Sequence, residues 1–149
     1  MGIKFAKHCL WLAAPLALAF ATPAAAQEFP LSFGDFWEIG RIDVKDGGDF
    51  AYAQHIAGKW KASQEFAKSK GWIKDYKILY SNNPRADEPD IYLVTIFEKM
   101  PTGPEGDARA KAFEEFSKAS AKQLSEESGN RAQYRTLMGS ILLQEAKVK

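Results

Sequence analysis

The sequence predicts an α+β domain: a four-stranded antiparallel sheet with two helices on one face, the elements running strand, helix, strand, strand, helix, strand. Three observations carry this expectation. Apolar residues recur at helical spacing from Phe50 to Ala67 and again from Ala112 to Leu124. Between them, residues 90–98 (DIYLVTIFE) are dense in β-branched and aromatic side chains on both faces. Loops rich in Pro, Gly and Asn (81–89 and 99–106) separate the periodic segments.

Ahead of the domain, residues 1–26 carry Lys4 and Lys7, then the apolar run 9–20, then Ala-Thr-Pro-Ala-Ala-Ala. That order is the order of a cleaved signal peptide. The run is shorter than the roughly twenty residues a membrane-spanning helix needs, and Pro15 interrupts it. Cleavage after Ala26 is expected to release a periplasmic or secreted chain with no membrane span. The only cysteine, Cys9, lies in this segment, so the exported part has no thiol for a disulfide, a thiolate metal site or a nucleophile. Losing Lys4 and Lys7 lowers the 20 basic side chains to 18, against 19 acidic ones. A balance so near neutral argues against nucleic acid as partner.

Residues 27–35, with Pro30 and Gly34, read as an N-terminal arm, and the domain proper as 36–149. Residues 36–44 read as the first strand, with Trp37, Ile39 and Arg41 on one face and Phe36, Glu38, Ile42 and Val44 on the other. Asp49 is the expected N-cap of a helix whose stripe is Phe50, Ala53, Ala57, Trp60, Gln64 and Ala67, closed by a basic turn and Gly71. Residues 73–80 form the second strand and 90–98 the third. Asp107 opens a second helix that Gly129-Asn130 stops, and residues 134–143 make the last strand, with Leu137, Gly139, Ile141 and Leu143 expected on one face. The right-handed crossover rule makes the first and third strands neighbours at the centre of the sheet.

Two helices cover one face of such a sheet. The other still presents large apolar side chains, which a second copy of the chain, packed face to face across a two-fold axis, would bury. With this element order, and with Trp37-Glu-Ile-Gly-Arg-Ile-Asp-Val-Lys-Asp-Gly47 and Gly71-Trp-Ile-Lys-Asp-Tyr76 at two strand starts, the chain resembles the dimeric α+β barrel superfamily of ferredoxin-like domains. Asp46 stands where those families place proline in the turn. The resemblance implies a homodimer with a cavity at the sheet. It implies no particular reaction, because the superfamily hosts many.

No phosphate-binding glycine loop, nucleophile elbow or zinc-binding helix motif is present. Past residue 26 there is one histidine, His55, too few for a closed zinc site. The plain reading of His55 is an exposed helix residue; the functional one is a proton shuttle, or an axial ligand to haem iron. Otherwise no cofactor is expected. Glu38 and Arg41 lie in opposite pleats, so one of them points away from the helices. Glu38 is favoured for that cavity, with Tyr76, Tyr92 or Tyr134 beside it, the alternative being a rim charge. Trp60 reads as core, whereas Trp37 and Trp72 suit a pocket wall or an interface. His55 and Glu38 are thus the candidate catalytic groups, and Trp37, Arg41, Trp72, Tyr76, Tyr92 and Tyr134 the candidate ligand-binding ones. Many aromatics and few acid/base groups favour a dimer that binds an apolar or aromatic small molecule. The alternatives are a cofactor-independent oxygenase or isomerase, and a structural or interaction protein of the envelope.

Overall fold

The structure is a computed structural model that describes residues 28–149, so the expected signal segment lies outside the described residues. Four strands, β1 (Leu31–Val44), β2 (Asp75–Tyr80), β3 (Ile91–Phe97) and β4 (Arg135–Val148), form one sheet in the order β2-β3-β1-β4. Every pairing is antiparallel. As expected, β1 and β3 are central neighbours; Ile91, Val94, Ile96 and Phe97 of β3 are all buried.

Helix α1 (Asp49–His55) runs through a π-helical turn (Ile56–Trp60) into α2 (Lys61–Ser69). Tyr52 and Ile56 pack on Ile42 and Ile91 of the sheet, with Trp60 and Leu93 against them. Burying each of these large side chains stabilises the fold by roughly 1.5–3 kcal/mol. The buried stripe is therefore Tyr52–Ile56–Trp60, and the expected stripe is out of phase in the first turns, where Phe50 stays 75% exposed. Asp49 is not the N-cap either: Gly48 is, because a Cβ there would collide with the Tyr134 carbonyl oxygen. Asp49 instead puts its charge in the first turn, where the helix dipole favours it. Gly71 has the expected left-handed conformation at φ 68°.

The expected second helix is two, α3 (Gly103–Ser117) and α4 (Ala121–Asn130). Reciprocal capping boxes, Thr102 with Glu105 and Ser120 with Gln123, start them, and Lys118 at φ 57° breaks the run between them. The loop expected over 99–106 gives way to helix because Pro104 falls in the first turn, where a missing N–H costs nothing. Phe113 and Phe116 of α3 gather around Phe66 of α2. Lys59 bonds Glu127 of α4 at 2.7 Å.

Strands β1 and β4 both outrun the expectation. Residues of the presumed arm, Leu31 to Phe33, pair with Ala146 to Val148 beyond the reach of β3, and a register shift between Phe33 and Phe36 absorbs Gly34. A second shift lies where Gly139 adopts φ 83°. It rotates the strand, so Leu137 shares a face with Leu142 while Ile141 and Leu143 lie on the other.

Candidate functional site

The sheet register divides the candidate residues between two faces. Glu38 pairs with Thr95, and Thr95 with Tyr76, in line with Ile42 and Leu93 under the helices. Trp37, Ile39 and Arg41 pair with Ile96, Val94 and Tyr92 on the opposite face. The expected assignment of Glu38 to the face away from the helices is thus corrected: Arg41 is the charge there. Its Nη2 donates to the Met138 carbonyl at 2.6 Å, inside the bulge that Gly139 makes, while its Nε is buried without a partner.

The other candidates scatter. Tyr76 donates its hydroxyl to Glu65 at 2.5 Å and takes the edge of Trp60, so it is bound to the helix layer. Trp72 stands edge-on to Phe66 at 5.3 Å beneath the Arg109 guanidinium. Tyr134, just before β4, lies 6.2 Å from the Tyr52 ring. No single site unites the six aromatic and basic candidates.

The structure does bring His55 and Glu38 together, with partners the sequence did not announce. Both line a cavity of about 270 Å³ between the sheet and the helices, walled by Ile42, Tyr52, Trp60 and Leu93 and closed by Arg131 and Arg135. A neighbouring cavity of about 470 Å³ shares His55, Trp60 and Arg131 with it and is lined by Phe113, Phe116 and Leu124. The π turn lies at this junction, with His55 before it and Trp60 at its end. Such single wide turns recur at functional sites, because they re-aim the side chains around them.

Electrostatics in the cavity are lopsided. Arg135 is 5% exposed, yet among the described residues its side chain donates only to Ser128, at 3.2 Å to Oγ and 3.3 Å to the carbonyl. Arg131 Nη1 donates to the Glu127 carbonyl at 3.0 Å, and the Nε of both arginines is buried without a partner. His55 stacks on Tyr52 at 5.8 Å. Burial first, then Arg131, Arg135 and Lys59, lower its imidazole to about 4, with Glu127 opposing, so it is neutral at physiological pH. Burial likewise raises the Tyr52 phenol, against the pull of the two arginines. A neutral imidazole, an un-ionised phenol and two cations beside an aromatic wall can hold and orient a small anionic or polar molecule.

Tyr52, Arg131 and Arg135 were missed because each has an ordinary reading in the sequence. The available signal was Arg131-Ala-Gln-Tyr-Arg135: two arginines four apart at the mouth of an apolar strand, where a charge must enter the sheet. Among the described residues, no group of three or more His, Cys, Asp or Glu is placed to hold a metal ion. No helix of those residues is long and apolar enough to cross a membrane. Compared with known proteins, the chain matches no protein-family model, no curated protein and no solved structure.

Proposed function

We propose that this chain is an exported, homodimeric ferredoxin-like protein that binds a small apolar or aromatic molecule in the cavity between its sheet and its helices. The observation that carries the binding role is that cavity itself: aromatic and aliphatic walls from Tyr52, Trp60, Ile42 and Leu93, with a few convergent polar groups at one end. Export is supported by the charged, apolar and small-residue order of residues 1–26. The strand order β2-β3-β1-β4 supports the ferredoxin-like assignment. Pairing of two copies is supported by the apolar face away from the helices, where Leu79 and Leu143 are 49% and 50% exposed beside Trp37 and Ile39.

An enzymatic role draws support from one feature: neutral His55 and Glu38 both line a single cavity. Tryptophan fluorescence tests the binding role, with titrations of aromatic acids, quinones and haem. Haem belongs in the panel because a neutral imidazole is the form that ligates iron. A saturable response to at least one of them, weakened in Trp60→Leu, is expected; a flat signal across the panel overturns the reading.

A further inference from the structure

Among the described residues, the two arginines at the end of the cavity make no direct ion pair, and Arg131 feels the Glu127 carboxylate, itself bonded to Lys59, only at longer range. A guanidinium keeps its charge in any protein environment and offers five N–H donors in a planar fork. Arg135, 5% exposed, uses one of its nitrogens on Ser128 and leaves Nε unpaired. Arg131 spends Nη1 on the Glu127 carbonyl and also leaves Nε unpaired. Among the described residues, neither forms an ion pair. Glu127 is taken by Lys59, and Glu38, on the cavity wall, lies beyond ion-pair distance. Burial of an uncompensated charge is strongly unfavourable, and proteins that retain one usually supply the opposite charge from elsewhere.

We propose that Arg131 and Arg135 form an anion-holding subsite that takes the carboxylate of a small organic acid, whose apolar body lies against Tyr52, Trp60 and Leu93. The inference rests on the small-molecule reading of this cavity and adds to it the chemical class of ligand. A carboxylate matches the planar donor fork two bonds at a time. The space, about 270 Å³, falls just below the ~300–1,000 Å³ of pockets for larger ligands, which points to an acid of about one ring. Neutral His55, stacked on Tyr52 in the same wall, can add one hydrogen bond without competing for the negative charge.

The test compares benzoate with benzamide, which has nearly the same shape and no charge, by calorimetric titration of the purified chain and of the Arg131→Met and Arg135→Met variants. Benzoate is expected to bind about tenfold or more tightly than benzamide, the ratio that charge-assisted hydrogen bonds give. Each variant is expected to lower benzoate affinity about tenfold or more and to abolish the preference for benzoate over benzamide. Circular dichroism establishes that the variants fold, and if Arg135→Met does not, Arg131→Met decides. Equal affinity for the two probes, or a benzoate preference that survives in the folded variants, overturns the anion subsite while the apolar pocket stands. Absence of binding by both probes overturns the anion subsite, and the small-molecule reading falls with it only if the quinone and haem titrations are flat as well.

Discussion

The guanidinium carbon of Arg135 lies 5.9 Å from the centre of the Tyr52 ring, and this contact, with the two bonds to Ser128, is the compensation the described residues give a nearly inaccessible charge. A desolvated cation–π contact is worth about 2 kcal/mol. Burying an ion costs several kcal/mol even after relaxation. Arg135 therefore stores an unfavourable free energy in the ligand-free fold.

Replacing Arg135 with the unbranched, apolar methionine should remove that burden. Arg135→Met is expected to raise stability by about 1 kcal/mol in the absence of ligand, as apolar replacements of buried charges often do. Urea unfolding followed by circular dichroism reads the change. A loss of stability would mean that the bonds to Ser128 and the contact with Tyr52 outweigh desolvation.

The neutral state of His55 gives stability a pH dependence. Its imidazole titrates at about 4 in the fold, against 6.5 when unperturbed, so the unfolded chain takes up this proton first as pH falls. Its contribution is intact above pH 6.5 and is lost progressively as pH drops toward 4. The charged groups acting on the ring are Arg131, Arg135, Lys59 and Glu127. His55→Gln should flatten the stability profile across that window relative to the unmodified chain. Parallel profiles in thermal melts between pH 4 and 7 would contradict the account.

Gly139 sets which side chains of β4 face the helices. At φ 83° a side chain is strained, although a Cβ would meet only Arg41 Nη2, at an ordinary 3.6 Å. Gly139→Ala is expected to cost about 1–2 kcal/mol from backbone strain alone. Gly139→Asn, which tolerates the left-handed region better, should cost less. Equal stability of the alanine variant and the unmodified chain in urea would show that the bulge can relax.

Pairing of two copies makes a separate prediction. Sedimentation should show the unmodified chain as a dimer, and Leu143→Lys, a charge placed beside Trp37 on the edge strand of the face opposite the helices, as a folded monomer. A monomer at high concentration without the substitution would remove the barrel reading and leave the helix-side cavity untouched.

The architecture was legible where one residue pattern had one physical solution. Residues 91–97, apolar on both faces, had to be central, and Gly71 after a basic turn had to end a helix. Trp60, read as core, does pack on it. What failed turned on phase. One π turn and one left-handed glycine each displace the periodicity, which moved the first-helix stripe from Phe50 to Tyr52 and reversed half of β4. For the site, the alternation of β1 placed Glu38 and Arg41 on opposite faces, but nothing local says which face the helices cover. Arg131 and Arg135 were hidden for a related reason: their burial depends on α1 and α4 meeting β4, a contact between segments far apart in the chain.

The proposal that a small molecule binds on the helix side of the sheet is tested most directly by nuclear magnetic resonance of the tryptophan indoles, because Trp60 lies on the helix side and Trp37 on the other. On titration with benzoate, the Trp60 indole resonance should shift saturably while that of Trp37 stays fixed. A saturable shift of Trp37 with Trp60 unmoved would place binding on the opposite face and contradict the account.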